Sequence, residues 1–135
     1  MNLNQLIKII ISALEDIKAN DIEILDVTKR ATIFDRMIIA SAVSTRQARA
    51  IANNVNDKVK ESGGTSYGTE GEGSGEWVLV DLGDVLVHIM LPAVRTHYDL
   101  EGLWGELETG VVEQQITSNQ SKDNSTLESS RLLAH

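Results

Sequence analysis

A nearly uninterrupted apolar run is followed at once by a capped amphipathic helix, and this pair of features most limits the possible folds. Met37 to Ala40 contains no charged residue, which is typical of a strand covered on both faces of a sheet. Ser44 and Gln47 then have the spacing of a capping box, which predicts a helix that begins there and ends near Gly63. A central strand followed by a helix predicts a right-handed crossover to another strand, and so an α/β protein.

Periodicity places the other elements around this unit. Apolar residues from Leu3 to Ile17 recur at steps of three and four, as on one face of a helix, whereas residues 21–27 alternate polar and apolar as a half-buried strand does. The predicted elements are helix 3–19, strand 21–27, strand 37–40, helix 44–63, strands 76–80 and 84–91, and helices 93–98 and 100–107. We therefore expect a small mixed sheet flanked by helices.

The predicted helix over 44–63 has two distinct sides. Its buried stripe consists of Ala48, Ile51, Ala52, Val55 and Val59. Its solvated side is predicted to consist of Arg46, Arg49, Asn53, Asn56 and Lys60.

Two stretches lack any regular pattern. Residues 63–75 contain six of the ten glycines and are predicted to form a long mobile loop. Residues 117–126 are all polar, so ordering them would cost conformational entropy with little burial in return. We therefore predict one domain over residues 1–107 and a flexible C-terminal tail over residues 108–135.

Charge is distributed unevenly along the chain, whose formal net charge is −8. Between Glu61 and Val94 there is no Lys or Arg, and the carboxylates of this stretch are Glu61, Glu70, Glu72, Glu76, Asp81 and Asp84. An acidic field slows approach to nucleic acid and attracts basic protein surfaces. We therefore expect a basic protein partner and no direct reading of nucleic acid.

The composition excludes several classes of chemistry. The chain has no cysteine, so disulfides, thiolate catalysis and cysteine-ligated metal sites are excluded, and its three histidines are too scattered for a metal motif. No signal sequence is visible, and no apolar run approaches the roughly 20 residues that span a bilayer. We expect a cytoplasmic protein with no cofactor, no bound metal and no membrane contact.

Two residue patterns leave an enzymatic alternative open. Asp21 and Glu23 fall on one face of a predicted strand, with a spacing that can hold magnesium in a nucleotidyltransferase. The Gly-Ser turn that such an enzyme places before these carboxylates is missing here, because only a helix precedes Asp21.

His88 lies between apolar neighbours without a second ligand, which favours a packed, hydrogen-bonded histidine. We assign no catalytic residue.

Trp77 lies next to the acidic stretch on a predicted strand. Alternation places it with Leu79 and Asp81 on one face, and Val78 with Val80 on the other. Either a binding surface or an aromatic packed under a helix fits this pattern.

The residues from Tyr98 onward have a local explanation. Asp99 has the position of an N-cap for the last helix, and Tyr98 is predicted to pack on Leu103. Capping and partner binding are compatible roles for these residues.

Short motifs in both halves of the chain form a specific combination. In the first half they are Ala13–Ala19, Asp21-Ile22, Leu25-Asp26-Val27, Ser44–Gln47 and Ala50-Ile51-Ala52. In the second half they are Glu70-Gly71, Gly75–Leu79, Asp81, Gly83-Asp84-Val85, Val87-His88, Arg95, Tyr98–Glu101 and Leu103-Trp104. With these motifs, residues 3–107 resemble the ribosomal silencing factor family, also called Iojap, RsfS or YbeB. Phe34–Met37 and Ala42-Val43 depart from the family pattern.

The resemblance implies a fold related to nucleotidyltransferases but without their catalytic motif or activity, in a protein that forms a homodimer. It also implies binding to ribosomal protein L14 of the large ribosomal subunit, which would obstruct subunit joining when nutrients are short. The binding residues implied by position are Trp77, Tyr98, Asp99 and Leu100, with Asp81 and Glu70 as further acidic members. Alternatives are a magnesium-dependent nucleotidyltransferase and an interaction module for another basic protein.

Overall fold

A computed structural model describes residues 1–31, residues 33–104 and the backbone of residues 106 and 107. The elements are α1 (Leu3–Asp16), β1 (Asn20–Asp26), β2 (Arg36–Ser41), α2 (Thr45–Glu61), β3 (Gly68–Glu70), β4 (Trp77–Asp81), β5 (Val85–Met90), α3 (Pro92–Tyr98), α4 (Leu100–Trp104) and β6 (Glu106–Leu107). The predicted tail over 108–135 lies outside the described residues, so a domain boundary at residue 107 remains a prediction.

The strands form one mixed sheet in the order β3-β4-β5-β2-β1-β6. β2 and β5 run parallel, and every other neighbouring pair is antiparallel. β2 lies inside the sheet, and its residues from Met37 to Ser41 are all buried, so the prediction of a central strand is confirmed. The expected mixed sheet flanked by helices is likewise confirmed. The departure at Phe34 leaves this packing intact, because the Phe34 side chain is itself buried.

Helices α1 and α2 cover one face of the sheet. The predicted stripe of α2 is buried there with Ile38, Ala40, Val78 and Val80. Ser44 caps α2 as predicted, since its Oγ accepts a hydrogen bond from the Gln47 amide over 3.0 Å. The return bond of the predicted capping box differs, because Oε1 of Gln47 accepts from the amide of Val43.

The end of α1 differs from the prediction by about one turn. The helix stops at Asp16 and not near Ala19, because Lys18 adopts a left-handed conformation with φ of 61°. Nε2 of Gln47 donates to the carbonyl of Ile17 over 2.9 Å, which satisfies part of this helix end. The same glutamine therefore joins the start of α2 to the end of α1.

Helices α3 and α4 cover the other face of the sheet. Buried residues of this second core come from β1, β2, β4, β5, α4 and the segment between β1 and β2, and they are Leu25, Val27, Phe34, Met37, Ile39, Leu79, Leu86, Met90, Leu100 and Leu103. Trp77, Val94 and Tyr98 pack against them from positions of partial exposure. This second face carries all the sequence-predicted binding residues.

The segment predicted as one long mobile loop contains β3, which pairs with β4. Nε of Arg49 donates to the carbonyl of Glu72 over 2.7 Å, and Nδ2 of Asn56 donates to Oγ1 of Thr69 over 2.8 Å. Arg49 and Asn56 were predicted to lie on the solvated side of α2, whereas they hold this segment against the helix. The prediction failed because these bonds join residues that are distant in sequence.

Candidate protein-interaction site

The alternation of β4 divides its side chains between the two cores, as predicted. Val78 and Val80 are completely buried under α2. Trp77 and Leu79 face the second core, where Leu79 is buried and Trp77 is only partly so. An indole therefore reaches the surface from a rigid strand, beside helix α3.

The indole of Trp77 is held between two other rings. Its centroid lies 4.8 Å from that of Tyr98, with 48° between the ring planes, and 5.7 Å from that of His88. Such separations suit tilted aromatic pairs. Nε1 of Trp77 also donates a hydrogen bond to Nδ1 of His88 over 2.8 Å. The prediction of a packed, hydrogen-bonded His88 is confirmed.

Asp99 forms the turn between α3 and α4. Its backbone adopts a left-handed conformation, with φ of 47° and ψ of 55°, and its amide donates to the carbonyl of Arg95 at the end of α3. Its Oδ1 accepts from the amide of Gly102 over 3.2 Å, so the predicted capping role toward the last helix is confirmed. The Asp99 side chain is exposed beside Tyr98.

The structure places two other predicted residues differently from expectation. Leu100 is only 2% exposed, so it packs inside the second core and supports the surface from below. The ring of Tyr98, which was predicted to pack on Leu103, pairs with Trp77 and, edge-on at 4.9 Å, with His97. The sequence offered no signal for the pairing of Tyr98 with Trp77. Trp77 lies on β4 and Tyr98 on α3, and the two rings meet only when these elements pack together.

The two remaining predicted residues lie on the same face of the sheet as Trp77. Glu70 is exposed on β3, directly opposite Leu79 in the register. Asp81 is partly exposed at the end of β4, where its Oδ1 accepts from the amide of Gly83 over 3.0 Å. The fold thus places Glu70 and Asp81 on the same face of the sheet as the aromatic pair, and Asp99 next to Tyr98.

Arg95 is a further functional candidate. Its side chain is nearly buried, and it stabilises the elements that carry the exposed side chains. Only 11% of its side chain is exposed. It donates to Oε2 of Glu101 and, through Nη1, to Oγ of the buried Ser41 over 2.8 Å. One side chain therefore joins α3, α4 and the end of β2.

The magnesium alternative finds no support in the arrangement of carboxylates. Asp21 has a φ of 50° and lies in an irregularity of β1 between Asn20 and Glu23, so the regular alternation that would pair Asp21 with Glu23 is interrupted. Within residues 1–31 and 33–104, no three His, Asp or Glu side chains are grouped so as to hold a metal ion. In the same part of the chain, no helix combines the length and apolar character needed to cross a membrane.

Comparison with known proteins gives consistent matches. The model of the family described as "ribosomal silencing factor during starvation" matches residues 1–133. The ribosomal silencing factor of Chromobacterium violaceum is 55% identical over 105 residues, which cover 78% of this chain and 86% of that protein. A crystal structure of a C. violaceum protein superimposes with a TM-score of 0.76 and 49% identity, covering 85% of this chain and 98% of the other.

A more distant mouse relative is named mitochondrial assembly of ribosomal large subunit protein 1. It is 32% identical over 101 residues, which cover 73% of this chain and 44% of the mouse protein.

Proposed function

Because this chain belongs to the ribosomal silencing factor family, we propose that it binds the large ribosomal subunit through ribosomal protein L14 and sterically blocks joining of the small subunit. We propose that this block represses translation under nutrient limitation, in keeping with the starvation named in the family description. Such a mechanism needs neither turnover nor a cofactor. The name of the mouse relative, which refers to the large ribosomal subunit, supports this choice of subunit.

The observation that carries the proposal is the partly exposed pair of Trp77 and Tyr98, with Asp99 next to Tyr98 and with Glu70 and Asp81 on the same face of the sheet. Tryptophan and tyrosine are over-represented among the residues that dominate protein interfaces. Glu70, Asp81 and Asp99 would give the rim a charge complementary to a basic ribosomal protein, and complementary charge chiefly raises the rate and fixes the orientation of encounter. No Lys or Arg between residues 61 and 94 opposes this field.

Mechanically, the aromatic pair anchors the protein and its body occupies space that the small subunit needs. Leu100 contributes from below the surface, by supporting the turn that carries Tyr98 and Asp99. We further propose a cytoplasmic homodimer that exposes this surface when it acts. If the dimer covers Trp77, ribosome binding requires a monomer or a rearranged interface, which crosslinking in both states would reveal.

Subunit joining with purified ribosomal subunits tests the proposal. We expect Trp77→Ala and Tyr98→Ala each to weaken binding to the large subunit by about 2 kcal/mol, or roughly 30-fold, and to relieve the block. Asn53→Ala, on the exposed side of α2 and on the other face of the sheet, is the control and should inhibit joining like the unaltered protein. Full inhibition by both aromatic variants would refute the proposed surface.

The two alternatives predict different outcomes. A magnesium-dependent nucleotidyltransferase would bind a nucleoside triphosphate saturably in calorimetry, and only with magnesium present. A module for another basic protein would retain that protein, and not large subunits, from a nuclease-treated lysate. Under the proposed function, the protein migrates with free large subunits and is absent from joined ribosomes.

A further inference from the structure

His88 contributes to the surface without forming its exposed part. It lies in the middle of β5, is 6% exposed, and faces the second core between Leu79 on β4 and Ile39 on β2. An apolar side chain at this position would fill the same space without adding a polar group to satisfy. The presence of an imidazole in this buried strand therefore needs a reason besides packing.

The hydrogen bond from Trp77 supplies that reason. Of the groups on the indole, only Nε1–H can donate a hydrogen bond, and Nδ1 of His88 accepts it over 2.8 Å. This geometry requires Nδ1 to carry no proton. Because Tyr98 packs against the same indole at 4.8 Å, the ring of Trp77 has a partner on β5 and another on α3.

We propose that His88 is a positioning residue, which fixes the ring of Trp77 in the orientation that the partner contacts. This inference rests on the proposed function, in which Trp77 anchors the interface. A partly exposed indole without this bond would have other rotamers available, and binding would then have to restrict them. Fixing the ring in advance removes that entropic cost.

The same bond defines what the partner contacts. Since the indole N–H is already used within the chain, the partner binds the ring itself and does not need to supply a hydrogen-bond acceptor. On an acidic surface, this favours a basic partner whose Arg or Lys side chain packs on the indole, where a cation is attracted to the ring.

The test compares variants of His88 and Trp77 in binding to purified large ribosomal subunits. His88→Leu removes the acceptor, whereas His88→Asn keeps an acceptor oxygen near the position of Nδ1. Trp77→Phe keeps an aromatic ring without the N–H. Ile89→Ala, completely buried on the opposite face of β5, is the control for a loss of stability alone.

We expect His88→Leu to weaken binding about tenfold, a change of about 1.4 kcal/mol, and His88→Asn to restore most of the affinity. The indole ¹H–¹⁵N resonance of Trp77 should shift in His88→Leu and return toward its original position in His88→Asn. In the Trp77→Phe background, His88→Leu should cause little further loss, because the bond is already absent. Ile89→Ala should lower stability and leave affinity unchanged.

Two results would overturn the inference, and both differ from failure of the proposed function. If Trp77→Ala weakens binding but His88→Leu does not, His88 has no positioning role and the proposed surface stands. If His88→Leu does not fold, unchanged affinity of Trp77→Phe refutes the inference alone. If Trp77→Ala itself binds like the unaltered protein, the proposed function fails.

Discussion

Arg95 and Glu101 form a two-point ion pair, in which Nε and Nη2 of the arginine lie 2.9 and 2.8 Å from the same carboxylate oxygen. The pair joins α3 to α4 across the turn at Asp99. The bond from Arg95 to Ser41 extends this link to β2. The turn that carries Tyr98 and Asp99 is therefore fixed to the central part of the sheet, and its geometry depends on a charge that is nearly buried.

Loss of this arginine should destabilise the protein markedly. Arg95→Met leaves Glu101 and the hydroxyl of Ser41 without their partner, and we expect a loss of about 2 kcal/mol in the free energy of unfolding. Urea denaturation measures it. The control is Lys58→Ala, because Lys58 and Glu61 form an exposed pair at 3.8 Å, and its removal should cost less than about 0.5 kcal/mol. If Arg95→Met and Lys58→Ala lowered the free energy of unfolding equally, the nearly buried pair would not be the more important of the two.

The role of Asp99 in the fold can be separated from its charge. Asp99→Asn keeps both the capping oxygen and the tolerance of a left-handed backbone, so stability should be unchanged while binding to large subunits weakens at low salt. Asp99→Ala loses the cap and should cost about 1 kcal/mol. Asp99→Gly should lie close to the unaltered protein, because relief of the backbone offsets the lost cap. Thermal unfolding measures the order of stability among the three variants, and a binding titration measures their order of affinity for large subunits.

Gly75 and Gly73 provide a matched pair in the segment before β4. Gly75 has a φ of +75°, and a Cβ there would lie 2.8 Å from Cβ of Thr45, whereas a Cβ at Gly73 would meet nothing within 4 Å. We expect Gly75→Ala to cost about 2 to 3 kcal/mol through backbone strain and overpacking. Gly73→Ala should be nearly neutral. Urea denaturation of both variants would contradict this account if their midpoints coincided.

The ionisation of Asp26 should make part of the stability of the folded protein sensitive to acid. The hydroxyl of Thr28 donates to its Oδ1 over 2.6 Å, and this bond chiefly lowers the pKa of Asp26 below the ordinary 3.8. The Thr28 amide, Arg36 and Lys29 lower it further, against the opposing effect of burial. A lowered pKa in the folded state stabilises the protein above pH 3.8, and this contribution is lost as pH falls through the folded value.

Thr28→Val removes the hydroxyl and keeps the side-chain shape. We expect the pKa of Asp26 to rise toward 3.8, and the fall in stability below pH 3.8 to become shallower. Carboxyl resonances followed in an NMR titration, together with urea denaturation from pH 7 to pH 2, measure both effects. An unchanged pKa in the variant would show that another group controls Asp26.

The acidic rim should affect encounter more than retention. Glu70→Gln removes one exposed charge, so we expect slower association with large subunits at low salt and a weaker dependence on salt, with little change in the dissociation rate. Glu15→Gln, exposed on α1, is the control. Surface plasmon resonance at several salt concentrations separates the two rates, and an altered dissociation rate alone would assign Glu70 to the anchor.

Local patterns in the sequence were sufficient for several features of this fold. The apolar run in β2 identified the central strand, and the alternation of β4 separated Trp77 from Val78. The Ser44 cap and the Asp99 cap were also predictable, because each involves groups only three residues apart. Such features depend on residues that are close together in the chain, so a short stretch of sequence is enough to predict them.

Features that depend on distant residues were not predictable in this way. β3 forms because β4 and Arg49 provide partners for a stretch rich in glycine, and composition alone indicated a mobile loop. The packing of Tyr98 on Trp77 and the three-way contact of Arg95 also require the finished sheet. The resemblance implied that Leu100 contacts a partner, whereas its burial depends on where α4 docks.

The parallel pairing of β2 with β5 has a consequence for the timing of synthesis. These strands are separated in the chain by α2, β3 and β4, so their pairing is a long-range contact of the kind that slows folding. Trp77 lacks its partners His88 and Tyr98 until β5 and α3 have emerged from the exit tunnel. A nascent chain therefore cannot display the assembled aromatic surface to the ribosome that is making it until its translation is well advanced.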